Sequence, residues 1–368
     1  MNFTNETELV ASWTTGFDRE GRELLAVVAK GTYALEPGRE DPVVAAEQAP
    51  LTEADEFTGD PGHSAPLYET DFAHHKPVCD VLLNGSAWAP NGVPAASVEV
   101  GLQVGPMRKT FEVVGNRAWS YSRLSGTYVS QPQPFTRLPI SYDVAFGGTD
   151  TTDPDDVATY LENPVGRGFG RHPAAIDGAL LPNTQATGES VTSPTGKYRP
   201  MAFGPVGRSW APRFPLAGTY DQRWLAEQAP FWPHDFDYRY FQAAPPDQQI
   251  PHPAGGEAIV LLNLTASGLE QFRLPRRRLP ILLIEHNGQY AEKLAVLDTV
   301  LIEPDLGRLC LTWRLCHPLR RDPFELREVV VGGRSGAWKA RQRAAITGRR
   351  YYRSLAELVE DRKRRARL

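Results

Sequence analysis

The chain has 368 residues, 41% hydrophobic and 23% charged, the balance of an ordinary globular protein long enough for two or three lobes. No run approaches the roughly 18 apolar residues of a spanning helix, and Met1 to Val10 is too polar and acidic for a secretory leader. With three cysteines, this predicts a cytosolic protein without membrane insertion. The net charge of −4 is uneven: residues 1–72 carry 15 acidic and 4 basic side chains, residues 319–368 carry 15 basic and 6 acidic.

In chain order, Leu24 to Tyr33 reads as a mostly buried strand. Residues 36–66 follow as an acidic, proline-punctuated loop. Val78 to Leu83 is the next strand, ended by Asn84-Gly85. Val98, Val100, Leu102 and Val104 alternate with Ser97, Glu99, Gly101 and Gln103, the pattern of a half-buried strand. Gly105-Pro106 turns the chain and residues 109–114 return, which makes an antiparallel meander.

Residues 132–253 break this grammar. They hold 18 of the 32 prolines and 17 of the 36 aromatic residues. Proline removes a backbone donor and glycine opens positive φ, so no long helix or central strand fits. Linkers are poor in aromatics, so this stretch is expected to be ordered and irregular, with loops pinned by buried rings.

Strand grammar resumes at residues 258–264. Ile281 to Glu285 and Lys293 to Ile302 form a hairpin around an Asn-Gly turn, and the strand holding Trp313 follows. Cys310 and Cys316 lie on one face of that strand, roughly 20 Å apart, too far for a disulfide. Residues 336–346 and 354–368 are helical in pattern. Leu355, Leu358, Val359 and Arg362 follow helical spacing, and Ser354 with Glu357 fits a capping box. The expected fold is mainly β: antiparallel, sandwich-like meanders flank an irregular aromatic-rich centre, with a short helical C-terminal segment. The expected division is an N-terminal β lobe at 1–131, the centre at 132–255, a C-terminal β lobe at 256–332 and a basic helical tail at 333–368.

Few constellations suggest chemistry. His74-His75 with Asp80, and His234 with Asp235 and Asp237, lack further ligands at metal-site spacing, so neither a metal nor a cofactor is expected. No Gly-x-Ser-x-Gly elbow is present, and Gly166-Arg167-Gly168-Phe169-Gly170 lacks the spacing and preceding strand of a phosphate loop. Asp221 with Asp237 could serve a glycosidase, and aromatic-rich loops suit sugar binding. Arg276-Arg277-Arg278 and the basic tail lack interleaved aromatics, and the rest of the chain is acidic, which argues against nucleic acid.

A longer series is more specific. It runs Lys76-Pro77, Asp80-Val81, Gly85, Pro134-Phe135, Pro139-Ile140-Ser141-Tyr142, Ala145-Phe146-Gly147-Gly148, Asn163-Pro164-Val165-Gly166, Leu181-Pro182-Asn183 and Phe203-Gly204-Pro205. Gly218-Thr219-Tyr220-Asp221, Trp224, Asp235-Phe236-Asp237 with Arg239, and Ala244 to Gln249 continue it in order. Over about residues 20–318 the series resembles a bacterial family associated with type VI secretion. Its members are regarded as adaptors or chaperones that help load toxic effectors onto the secretion spike. The resemblance implies a non-enzymatic protein whose partners are a secreted effector and the spike protein or its tip. It carries no catalytic residues. The candidate partner-binding residues are Trp210, Tyr220, Asp221, Trp224, Trp232, Phe236, Asp237 and Arg239. The alternative is a carbohydrate-binding or carboxylate-dependent glycoside-active protein using the same loops.

Overall fold

The computed structural model describes residues 1–124, 126–172 and 176–366. The fold is mainly β, and its frame is two sheets packed face to face. The strands used below are β1 (Asn2–Asn5), β2 (Val10–Phe17), β3 (Glu23–Ala34), β4 (Cys79–Leu83), β5 (Gly85–Trp88), β6 (Ser97–Val104), β7 (Met107–Val114) and β8 (Arg137–Ile140). They continue with β9 (Thr184–Gln185), β10 (Gln249–Ile250), β11 (Ala258–Leu262), β12 (Leu269–Arg273), β13 (Leu279–Glu285), β14 (Tyr290–Glu303), β15 (Arg308–Pro318) and β16 (Leu326–Val331).

The larger sheet runs β1-β16-β13-β14-β15-β3-β2, with β4 parallel to the second half of β14 and β10 antiparallel to β4. The smaller runs β9-β7-β6-β11-β12. Strands from both flanks of the irregular centre therefore share both sheets: β3 pairs with β15, β6 with β11 and β1 with β16. Among the described residues, the irregular centre itself adds only two-residue strands to them, β9 and β10.

Alternation fixes which face is dry. Leu309, Leu311, Trp313 and Leu315 of β15 enter the core between the sheets, as do Leu25, Val27 and Ala29 of β3. Val98, Val100, Leu102 and Val104 of β6 meet them from the smaller sheet, with Ile259 and Leu261 of β11. Each large side chain removed from water this way contributes about 1.5–3 kcal/mol. The opposite face of β15, with Cys310, Thr312 and Arg314, is equally buried, under the loop at 45–76 and Ala243 and Ala244 of the irregular centre. All three cysteines are free, and Cys310 and Cys316 sit six residues apart on β15.

The Asn287-Gly288 turn joins β13 to β14, with Gly288 at φ +86°. Two helices close the chain, α2 (Gly336–Ile346) and α3 (Leu355–Arg365); the irregular centre contributes a shorter one, α1 (Gln222–Glu227). Helix α2 docks on the β13–β14 hairpin: Trp338 meets Tyr290 edge-on at 5.5 Å and Gln342 donates to the Gly288 carbonyl. In α3 the Ser354 hydroxyl accepts from the Glu357 amide, while the Glu357 carboxylate takes the Arg353 amide instead of that of Ser354. The box is thus offset by one residue at its return bond.

Candidate interaction surface

Lys76, Asp80, Asn163, Asn183 and Gln248 of the motif series point inward, whereas Thr219 to Asp221, Asp235, Asp237 and Arg239 keep accessible surface. Asp80 on β4 is fully buried and accepts four hydrogen bonds: from Lys76 Nζ at 2.7 Å, Gln242 Nε2 at 2.6 Å, and the Ala243 and Ala244 amides at 2.9 and 3.2 Å. Burial works against the Lys76 charge, but Asp80, Asp298 and Glu69 outweigh it and raise its pKa. Gln248 ties three segments: its Nε2 donates to the Val81 and Phe203 carbonyls, and its Oε1 accepts from Lys109 Nζ at 2.6 Å. Burial pushes the Lys109 amine down to about 8, with Asp247 pulling the other way.

Asn163 explains the Asn-Pro-Val-Gly motif. It is fully buried and its Nδ2 donates to the Tyr142 and Phe146 carbonyls, pinning the turn that carries Gly147 and Gly148. A Cβ on Gly147, at φ +150°, would lie 2.1 Å from the Asn163 carbonyl oxygen, so only glycine allows the two loops to meet. Asn183 is likewise buried and donates to the Val114 carbonyl at 2.8 Å.

A second buried polar group escaped the sequence reading because it lies on strands. Lys30 Nζ bonds Asp71 at 2.8 Å, Thr312 bonds the same carboxylate, and Arg314 pairs with Asp298 at 2.6 Å. Asp298 is the extra residue where the β14–β15 register shifts, and that bulge aims it at Arg314. Lys30, Lys76, Asp71, Thr312 and Arg314 surround a cavity of about 30 Å³, room for about one water. The available signal was a lone charge inside an apolar strand, at Lys30 and at Asp298.

The predicted site residues separate into three places. Trp210 is buried in the sandwich core, edge-on to Tyr142 at 5.3 Å. Trp232 and Phe236 stack at 4.4 Å in a ring cluster with Phe241 and Tyr238. Trp232 Nε1 donates to the Phe17 carbonyl at 2.9 Å, fastening this cluster to the end of β2. His74 lies edge-on to Trp232 and Phe241, and burial with nearby Arg314 lowers its pKa. Tyr220 and Trp224 form a third group, edge-on at 4.7 Å around α1. Large apolar side chains close to them in sequence are exposed: Phe214 is 64% exposed and Leu225 60%, with Tyr220 itself at 51%.

The acidic candidates act as caps. Asp221 accepts from the Trp224 amide at the start of α1, and Asp235 accepts from the Thr219 amide and hydroxyl. Asp237 accepts from the Arg239 amide and takes its guanidinium at 2.6 Å, and that ion pair lowers its pKa. A glycosidase acid needs the reverse shift. A groove of about 370 Å³ beside α1 is lined by Asp221, Trp224, Gln228, His234 and Asp235, with Asp237 outside it. Elsewhere the motif series surfaces at a groove of about 420 Å³, along Asn84, Gly85, Pro139, Ser141 and Gly204. Among the described residues, no group of three or more His, Cys, Asp or Glu is placed to hold a metal, and no helix is long and apolar enough to cross a membrane.

Comparison with family models matches residues 20–314 to a family described as an uncharacterised protein conserved in bacteria (DUF2169). The chain belongs to that family. No curated protein and no solved structure matches it. The DUF2169 span begins in the turn before β3 and ends within β15, so β1, β2, β16, α2 and α3 lie outside it.

Proposed function

We propose that this DUF2169 protein is a non-enzymatic adaptor that binds a secreted effector of a type VI system and assists its loading onto the spike or spike tip. The order of the motif series supports the secretion assignment. The observation that carries the binding role is the exposure of Phe214, Tyr220 and Leu225, three large side chains in and just before α1, in a region whose loops are pinned by buried rings and caps. Partner surfaces concentrate their affinity in such aromatic and aliphatic anchors.

The test is co-purification with the effector encoded beside the gene. Phe214→Ala and Leu225→Ala should melt like the parent, with at least one binding roughly thirtyfold weaker, the effect of losing an anchor of about 2 kcal/mol. Trp210→Ala, in the core, should instead lose about 3–5 kcal/mol of stability. If affinity falls only in proportion to stability, the patch is scaffold and the reading fails.

A carbohydrate-binding protein is the second reading, favoured by the groove that sets Trp224 beside Asp221, His234 and Asp235. Titration with soluble oligosaccharides distinguishes it: a heat of binding abolished by Trp224→Ala would favour the sugar.

A further inference from the structure

We infer that the groove beside the loop joining β11 to β12 binds a primary ammonium ion carried on an apolar stem, with Glu270 as its anionic end. The groove has a volume of about 510 Å³, the size of a small-molecule site. Leu35, Leu261 and Phe272, at the margin of the core between the sheets, form part of its lining. Trp88, Pro37 and Pro304 extend that apolar surface.

The strand pattern sets a carboxylate among these groups. β12 is the edge strand of the smaller sheet; Leu269, Gln271 and Arg273 are exposed along it, and Glu270 and Phe272 are buried. Glu270 pairs with Leu261 and so shares the core-facing side. It is only 7% exposed, and its one hydrogen bond among the described residues comes from the Ser267 hydroxyl, at Oε1. No lysine, arginine or histidine among the described residues forms an ion pair with it. Oε2 has no protein partner and is not sealed from solvent, so it opens on the groove. A carboxylate so far removed from water is costly unless a cation or further donors meet it.

The rest of the lining leaves that charge unmatched. Among the described residues, Arg137 is the one cation in it, and Arg137 pairs with Asp305 at 2.8 Å while lying over the Trp88 ring at 4.9 Å. The hydroxyls beside Glu270 add to the polarity. Ser267 spends its one proton on Glu270, so in the 2.8 Å contact between Thr265 and Ser267 it is Thr265 that donates. Thr265 Oγ1, also in the lining, keeps only acceptor lone pairs. This end of the groove therefore offers two acceptors, Glu270 Oε2 and Thr265 Oγ1. An ammonium, a compact charge with three donors, matches them. A guanidinium fits less well, because its fork needs both carboxylate oxygens and Ser267 holds one.

Calorimetric titration of the full chain with phenethylamine, phenethyl alcohol and hydrocinnamate compares one shape in three charge states. The amine should bind at least about tenfold tighter than the alcohol, the effect of a hydrogen bond between charged groups, and the acid should not bind. Glu270→Gln keeps an acceptor for Ser267 and removes the charge, so it should melt like the parent and lose that tenfold preference. A carboxylate that only braces the loop would leave amine affinity unchanged. Should Glu270→Gln fail to fold, Ala266→Lys takes its place: Ala266 is exposed in the lining, and a lysine there competes for Glu270 and should weaken the amine as much. N-acetyl-lysine methylamide separates the two sources of this chemistry. Tighter binding than phenethylamine points to a lysine side chain of a polypeptide, and weaker binding to a free amine. Equal affinity for amine and alcohol, no binding of either amine, or an amine affinity that the folded variant leaves unchanged overturns the inference.

Discussion

Replacing Asp80 by asparagine tests the claim that the motif series builds the interior. The carboxylate accepts from four donors, two at each oxygen: Gln242 Nε2 and the Ala244 amide at Oδ1, Lys76 Nζ and the Ala243 amide at Oδ2. An asparagine keeps one acceptor oxygen and turns an NH₂ group toward the other two donors. Each buried donor left unpaired costs about 1–3 kcal/mol, and breaking a buried ion pair costs about 3–5 kcal/mol. About 4 kcal/mol is therefore expected for Asp80→Asn. Lys76→Met should cost less, about 2 kcal/mol, because three donors still satisfy Asp80. Part of the Asp80→Asn cost is the stranded Lys76 charge, so the double variant should lose at least about 1 kcal/mol less than the sum of the singles. Urea unfolding followed by tryptophan fluorescence measures all three variants. A cost below about 1 kcal/mol for Asp80→Asn, or strict additivity, refutes the keystone role.

Two further outcomes follow from the same interior. Lys109 has an ordinary value of 10.5 and is held at about 8 by burial, so between these values the unfolded chain binds more protons and stability rises with pH. The gap of about 2.5 pH units at about 1.4 kcal/mol each allows a rise of about 3 kcal/mol, which Lys109→Met should remove; identical pH profiles for parent and variant would contradict it. Asn163→Ala unties two buried carbonyls and should cost about 2 kcal/mol in urea unfolding, and an unchanged midpoint would mean the loop crossing at Gly147 holds without it.

The β frame was legible because its signals are local. Alternation at residues 97–104 and 309–315 names the buried face directly, and Asn287-Gly288 marks its hairpin without any knowledge of the rest. Proline and aromatic content likewise identified the irregular centre as ordered. Its wiring was not legible, because the bonds that hold it are remote: Asp80 and Gln242 are 162 residues apart, and Lys30 meets Asp71 only after β3 is laid into the sheet. Lys30 reads as solvent-facing from its type alone, and only tertiary pairing reverses that. The eight proposed partner residues form one group in the sequence, by the motif series and the concentration of aromatics in the irregular centre. Folding divides them among the core, a ring cluster under the lobe and the surface around α1.

That division bears on what a motif series can say about binding. Asp80, Asn163, Asn183 and Gln248 are each specified by several simultaneous hydrogen bonds, so substitution is penalised wherever the fold is kept, with or without a partner. Phe214 and Leu225 lie outside the series and make no such bonds, so the fold leaves their identity open. A protein that must hold different effectors on one scaffold needs this separation: interior positions fixed by hydrogen-bond geometry, and surface anchors free to change with the partner. On the proposed reading, the buried polar positions of the series therefore mark the scaffold, and the side chains around α1, Tyr220 and Trp224 inside the series with Phe214 and Leu225 outside it, mark the contact.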